Sequence, residues 1–309
     1  MFSFCAPKAR EAVRMIEMLT SIFKKNYKST YQLLFAVGIS VVLIYLAISV
    51  IKEATNSLDR NANLNQNKLL NTLLTLEKGS ISSLVVDYAN WDESIEEIDK
   101  SAENEWEQTN LAQHLTDNFD IDLSIVFKPE NGISFVHLSE SVINLDVNSN
   151  IKLFEPWIEN TRINRLSETN SNAGFLLVDG NWFIGATSAL IPEDVDSTHL
   201  EDWEPQREHQ YVFLFAKLID QEYLSSIESG AGFNKLKLSS TLCQETNLAC
   251  LDLYDSQSNI IGSISYAPLI PSQIFLSNIF LKLTLLIALI FVVVSWVGLS
   301  FYRFTKKLK

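Results

Sequence analysis

The densest group of side chains that could bind a ligand lies between residues 87 and 93, in the sequence Asp-Tyr-Ala-Asn-Trp-Asp-Glu. On a helix, Trp91 is three or four residues from both Asp87 and Tyr88, so rings and carboxylates share adjoining faces. Rings with polar tips can line a small-molecule pocket, and they can equally fix a helix to a sheet. Both interpretations stay open, and the candidate ligand or motif residues are Asp87, Tyr88, Trp91 and Asp92.

Two cysteines form a second candidate feature. Cys243 and Cys250 are close in sequence and lie in the same segment, whereas Cys5 lies near the N-terminus. In an oxidising compartment such a pair can close a short loop and stabilise the fold by about 2 to 3 kcal/mol. The alternative is two buried thiols. We treat Cys243 and Cys250 as a possible disulfide.

The sequence offers no recognisable metal site or catalytic centre. Its four histidines show neither an HExxH pattern nor ligand spacing with cysteine: His114, His137, His199 and His209. The acidic insert at residues 192–210 lacks the spacing of a calcium loop, which favours a solvated loop. Nucleophile-elbow, Walker and dinucleotide-binding motifs do not occur. We therefore predict no metal, no cofactor and no enzymatic activity.

Two long uncharged segments are predicted to anchor the domain between them to a membrane. Residues 29–51 and 283–302 are apolar on every helical face and long enough to span a bilayer. The first segment is longer than the apolar part of a signal peptide and has no small-residue cleavage site, so it is predicted to be an uncleaved anchor. We assign transmembrane helices to residues 29–51 and 276–302.

The distribution of charge predicts the topology. Basic residues flank the two spans, in segments 1–28 and 303–309, and basic flanks stay in the cytoplasm. Segment 1–28 is predicted to be an amphipathic helix on the inner leaflet, and segment 303–309 a short cytoplasmic tail. Residues 52–275 form the predicted periplasmic domain of an inner-membrane protein. From residue 53 to 275 the chain has 12 basic and 35 acidic residues, a net charge of −23, which excludes nucleic acid as a partner.

The period of the apolar residues indicates an α+β fold. Residues 58–98 follow helical spacing, as one long helix or two joined near Gly79, and the chain then changes to alternating patterns. An antiparallel sheet of about five strands packed on the long helix is the expected architecture. The expected strands are 121–127, 133–138, 174–178, 182–190, 211–216, 249–254 and 260–266, with short helices at 111–115, within 151–165 broken at Pro156, and at 220–229.

Residues 86–93, Val-Asp-Tyr-Ala-Asn-Trp-Asp-Glu, resemble the signature of the fourth class of CHASE domains, which are extracellular sensory modules. The order of elements from residue 57 to 227, between the two spans, is similar to that family as well. The resemblance implies a PAS- or Cache-like fold, of the kind found upstream of diguanylate cyclase, phosphodiesterase or histidine kinase domains. It therefore connects the chain with cyclic-di-GMP or kinase signalling.

The chain departs from that pattern because it stops at Lys309, without a cyclase or kinase signature. We expect a non-enzymatic sensor, without its own output domain, that binds a small molecule or a periplasmic protein and works as a homodimer in the bilayer. An alternative is a membrane-anchored periplasmic interaction protein that sends no signal inward. An exported hydrolase is disfavoured because no nucleophile or metal constellation is present.

Overall fold

The computed structural model describes residues 7–91, 94, 97–98, 105–164, 171–191, 211–241, 243 and 247–307. Two units divide the chain. One contains Met1–Ala62 and Leu269–Lys309, and the other contains Asn63–Pro268. Three predicted features lie outside the described residues: the insert at 192–210 with His199 and His209, the motif residue Asp92, and most of the predicted helix after residue 91.

The longest element is helix α1, which runs from Pro7 to Ala89 without interruption. It contains no proline after its first residue, and Gly79 does not divide it into two helices. One face of α1 is packed into the core of the second unit, because apolar residues recur at helical spacing and are buried there: Leu70, Leu74, Ile81, Val85 and Tyr88.

The first unit also contains the C-terminal helix α6, Pro271–Lys307. Within the described residues, one helix, Gly38–Ala89, is long and apolar enough to cross a membrane. A second candidate span is formed if Pro271–Ser277 and Lys282–Val293, bent by 41°, are counted as one. The carboxylate of Asp59 accepts hydrogen bonds from the N–H (2.9 Å) and the Oγ (2.6 Å) of Ser272, and so caps the N-terminus of α6.

The second unit contains a five-stranded antiparallel sheet, whose strands are β1 Leu123–Phe127, β2 Ile133–Leu138, β3 Ser171–Val178, β4 Asn181–Ala189 and β5 Val212–Leu218. Their order in the sheet is β2-β1-β5-β4-β3. The central strand β5 joins two hairpins that are far apart in sequence, and β4 pairs with β3 through an Asp179-Gly180 turn in which both residues have positive φ. The predicted α+β fold, with an antiparallel sheet packed on a long helix, is confirmed.

Each face of this sheet carries a hydrophobic core. One face contributes Phe213 and Phe215 to the cluster that includes the buried residues of α1. The other face packs on helix α4, Ile151–Ile163, through Phe154 and Trp157. A sheet that is buried on both faces explains why β1 and β5 are almost entirely apolar.

Helix α4 corrects one prediction, because it continues through Pro156 instead of breaking there. A proline removes one backbone hydrogen bond and crowds the carbonyl four residues earlier. Phe154 and Trp157, on either side of it, are at most 2% exposed. Their burial holds the helix together across the proline. Two shorter helices precede β1, α2 Glu105–Glu107 and α3 His114–Phe119, and a π-helix at Gln108–Gln113 joins them.

A second, three-stranded sheet completes the unit, in the order β6-β8-β7. Its strands β7 Ala249–Tyr254 and β8 Ile260–Tyr266 have the predicted bounds, whereas the three-residue β6, Lys237–Ser239, was not predicted. Two glycines allow the sheets to approach closely. A Cβ on Gly174 would lie 2.6 Å from the N atom of Ser256, and a Cβ on Gly262 would overlap the ring of Trp182. Helix α5, Gln221–Ala231, follows β5.

Candidate functional site

The predicted motif lies where α1 ends. The last helical residue is Ala89, and Asn90 closes a turn by donating from its N–H to the carbonyl oxygen of Val86 (3.0 Å). Trp91 lies outside α1, so the prediction that the helix continues through this residue is wrong.

Groups that come from elsewhere in the chain end the helix at this point. The Oγ of Ser94 donates to the carbonyl oxygen of Tyr88 (2.9 Å), and the N–H of Ile191 donates to the carbonyl oxygen of Ala89 (3.1 Å). A continuing helix would use these carbonyls for its own next turn. The end of α1 is therefore anchored by Ser94 and by Ile191, the second residue after β4.

The structure brings Tyr88 and Trp91 together even though they are not on one helix. Their ring centroids are 4.5 Å apart at an interplanar angle of 28°, and the edge of Phe215 meets Tyr88 at 5.5 Å. Tyr88 is 3% exposed and Trp91 is 40% exposed. The tyrosine is thus a core residue in contact with β5, and the tryptophan ring covers it from the solvent side.

The hydroxyl of Tyr88 is unusual because it is buried and has no hydrogen-bond partner in the described part of the chain. Burial raises the pKa of Tyr88 to about 12. A buried hydroxyl without a partner costs about 1 to 3 kcal/mol, so such groups generally have a reason to be retained. A bound molecule or an ordered water that reaches this hydroxyl would remove the penalty.

The two acidic residues of the motif are placed differently. Asp87 is exposed on α1, and Asp92 lies outside the described residues. The described site therefore consists of the Tyr88–Trp91 stack, with Phe215 beneath it and Asp87 on the exposed surface of the same helical turn. Whether each residue contacts a ligand stays a prediction.

A polar cleft of about 300 Å³ is a feature that the sequence did not predict. It lies at the end of β5, where Lys217 forms ion pairs with Glu77 (3.2 Å) and Asp120 (3.4 Å). These partners are separated by up to 140 residues in the chain, so no local sequence pattern could have predicted their ion pairs. The lining residues are Asp120, Asp122, Ser141, Lys217, Leu218, Asp220, Glu222, Tyr223 and Ser226.

Most of the carboxylates in this cleft have structural partners. Asp122 accepts from the Oγ of Ser139 (2.6 Å) and from the N–H of Leu218 (2.8 Å). Asp220 caps α5 by accepting from the N–H of Tyr223 (2.8 Å). Burial, reinforced by the charge of Glu77, raises the pKa of Tyr223. These carboxylates therefore stabilise the connection between β5 and α5.

The cysteine pair and the histidines complete the list of candidates. In the structure the sulfur atoms of Cys243 and Cys250 are bonded, with Cα atoms 6.2 Å apart. His137 interacts through Nε2 with the Oγ1 of Thr116 (3.2 Å), and burial lowers the pKa of His137. Within the described ranges, no group of three or more His, Cys, Asp or Glu side chains could hold a metal ion.

A family model for the CHASE4 domain matches residues 73–239, which include the Tyr88–Trp91 site and the whole five-stranded sheet. The chain belongs to the CHASE4 domain family. This confirms the resemblance seen in the sequence of residues 86–93. CHASE4 domains are sensory modules, so the large domain of this chain is a sensory domain. No curated protein matches the chain.

Two solved structures are similar to this CHASE4 protein, both of the periplasmic domain of Vibrio cholerae LuxQ. The first is 12% identical, covers 67% of this chain and 98% of its own, and has a TM-score of 0.41. The second is 10% identical, covers 67% of this chain and 100% of its own, and has a TM-score of 0.40.

Proposed function

We propose that the chain is the sensor portion of a two-pass receptor in the bacterial inner membrane. Residues 29–51 and 276–302 are its spans, residues 52–275 are periplasmic, and both termini are cytoplasmic. Membership in the CHASE4 family supports the sensory role, and the basic flanks on either side of an acidic domain support the orientation.

One observation carries the proposal: α1 is a single helix that contains the predicted first span and ends at the Tyr88–Trp91 site. A helix resists bending far more than a loop, so a displacement at Tyr88 is transmitted along α1 instead of being absorbed in a linker. Binding at the periplasmic site would thereby bias the position of the span. This coupling requires a ligand that binds more tightly to the domain in one position of α1 than in the other.

The ligand is a small molecule or a periplasmic protein that contacts Trp91 and reaches the hydroxyl of Tyr88. A ligand that reached Tyr88 would provide a partner for a buried hydroxyl that has none among the described residues. The signal would pass to a cyclic-di-GMP or kinase pathway, through a further domain or a separate partner. Catalysis is not part of the proposal.

Reporter fusions near Asn170 and after Lys309 test the topology. A periplasmic reporter, alkaline phosphatase, should be active at residue 170 and inactive after residue 309, and a cytoplasmic reporter, β-galactosidase, should show the reverse. Alkaline phosphatase activity at both positions would mean that the second span does not cross. A fusion near Asn170 that is active only as β-galactosidase would overturn the receptor proposal.

A further inference from the structure

Helix α1 has a second apolar face that the core of the domain does not cover. Leu69 is 41% exposed and Leu76 is 66% exposed, whereas their neighbours Leu70 and Leu74 are at most 2% exposed. Leu58, nearer the membrane in sequence, is also 41% exposed. Leu58, Leu69 and Leu76 are separated by eleven and seven residues and share one face of the helix, whereas Leu64, which is 57% exposed, lies outside that face.

The spacing of this second face is that of a coiled coil. From Leu58 to Leu76 the positions alternate in steps of four and three residues, as the a and d positions of a heptad repeat do. The set, which we call the α1 stripe, contains six uncharged residues: Leu58, Ala62, Asn65, Leu69, Thr72 and Leu76. Apart from the partly buried Ala62, all of them are exposed.

Electrostatics favour the α1 stripe as the place where two acidic domains could meet. The segment from residue 53 to 275 has a net charge of −23, so two copies repel each other over most of their surface. No charge lies within the stripe. Two acidic residues on the adjacent face already have partners in their own chain, because Glu77 pairs with Lys217 and Asp59 binds Ser272.

We propose that the α1 stripe pairs with the same stripe of a second copy, in parallel and in register. The inference rests on the proposed membrane orientation. Two copies held in one bilayer extend α1 in the same direction and from the same height, so Leu69 meets Leu69 and Leu76 meets Leu76. This is a closed, two-fold symmetric contact, which is the commonest form of homo-oligomer.

Two polar members of the stripe define the register of this contact. An asparagine at a core position of a coiled coil fixes alignment at some cost in stability, because it pairs best with its own counterpart. Asn65 holds such a position. The hydroxyl of Thr72 is already bonded to the carbonyl oxygen of Lys68 (2.8 Å), so Thr72 can present its methyl group to the interface.

The stripe is short, at about 27 Å for 18 helical steps, so it would dimerise weakly if it were free in solution. Confinement in a membrane changes this, since tethering converts association into a reaction at high effective concentration. A weak contact of this kind suits a receptor whose two copies must shift against each other.

Cysteine cross-linking of the full-length protein in native membranes tests the proposal. In a Cys5→Ser background that keeps Cys243 and Cys250, the variants Leu69→Cys and Leu76→Cys should give a disulfide-linked dimer on mild oxidation. The matched control is Leu64→Cys, on the same helix and 57% exposed, but at an outward position of the heptad. We expect at least tenfold more dimer at residues 69 and 76 than at residue 64.

A second measurement keeps the test independent of cysteine reactivity. The double variant Leu69→Glu with Leu76→Glu should reduce energy transfer between fluorescently labelled copies to the background level, and Leu64→Glu should leave it unchanged. Equal cross-linking at residues 64, 69 and 76 would overturn the proposal, as would cross-linking only to a different protein. If the reporter near Asn170 is periplasmic and these dimers are absent, the stripe proposal fails while the receptor proposal stands.

Discussion

The rings of Tyr88 and Trp91 stack with their centroids 4.5 Å apart, although α1 ends at Ala89 between them. The stack therefore depends on the turn at Asn90 and on the anchoring of the helix end by Ser94 and Ile191. A ligand that displaced the ring of Trp91 would act directly on this anchor.

Replacing Trp91 with alanine should abolish the response to the ligand while the domain stays folded. Trp91 is 40% exposed, and loss of one aromatic pair costs only about 0.5 to 1.5 kcal/mol. The matched control is Trp182→Ala, which empties a buried site and should cost about 3 to 5 kcal/mol. Thermal unfolding of both variants measures the structural role of each tryptophan, and a signalling reporter measures its role in the response to the ligand. If Trp91→Ala unfolds the domain as Trp182→Ala does, Trp91 is purely structural.

Replacing Tyr88 with phenylalanine should change the alkaline stability of the domain. Burial raises the pKa of Tyr88 from 10.0 to about 12, so the folded state keeps this proton where the unfolded state loses it. The contribution of the protonated Tyr88 to the free energy of unfolding is complete below pH 10, and it is lost as the pH rises towards about 12. Tyr88→Phe should therefore flatten the fall in unfolding free energy over this range.

Denaturant titrations between pH 8 and about 12 measure this effect. Tyr266→Phe provides a control, because burial raises the pKa of Tyr266 too and its hydroxyl has no partner in the described residues, but Tyr266 lies in β8, away from the motif. At neutral pH both variants should be at least as stable as the wild type, since each removes a buried hydroxyl that has no partner in the part of the chain that the structure describes. A loss of signalling in Tyr88→Phe but not in Tyr266→Phe would support the ligand site.

Replacing Gly262 with alanine should destabilise the domain by about 1 to 3 kcal/mol or more, because the new methyl group would overlap Trp182 and the carbonyl oxygen of Ser239. The matched control is Gly230→Ala in α5, where nothing lies within 4 Å. That control should raise stability by about 0.5 to 1 kcal/mol, since alanine is the better helix former. Chemical denaturation of the two variants gives both values; no loss of stability in Gly262→Ala would contradict the close approach of the two sheets.

Maleimide labelling tests the Cys243–Cys250 bridge. Without reductant only Cys5 should be modified, which provides an internal positive control, and with reductant all three thiols should react. Cys250→Ser should lower the unfolding free energy by about 2 to 3 kcal/mol. Labelling of Cys243 and Cys250 in the absence of reductant would show that both are free thiols.

Replacing Asp59 with alanine should loosen the start of α6. The substitution removes both acceptors of the Ser272 hydrogen bonds, and loss of such a cap costs about 0.5 to 2 kcal/mol. Asp59→Asn keeps one oxygen acceptor and should have a smaller effect. Hydrogen exchange at Ser272 and Gln273 measures the opening; equal protection in wild type and Asp59→Ala would exclude a capping role for Asp59.

The parts of the fold that were predicted correctly depend on local patterns. The bounds of β7 and β8 follow from alternation on either side of a polar turn, and the β3–β4 hairpin follows from Asp179-Gly180, two residue types that tolerate positive φ. The family could be recognised because its motif is a contiguous stretch of sequence.

The parts that could not be predicted depend on distant partners. The end of α1 is set by Ser94 and Ile191, and the residue types of the motif alone would have allowed the helix to continue. The cleft arises because Glu77, Asp120 and Lys217 meet only in the folded domain. Helix α4 tolerates Pro156 because of packing that a helical pattern does not show.

The pairing of β1 with β5 also determines when this domain can be completed. Ile125 lies opposite Leu214, so the middle of the sheet cannot close until nearly ninety further residues have arrived. Contacts of such long sequence separation slow folding and leave apolar strands uncovered meanwhile. For a chain that crosses a membrane during synthesis, β1 and β2 would emerge first and wait for β5. Under the proposed topology, a factor that shields these early strands would raise the yield of folded protein.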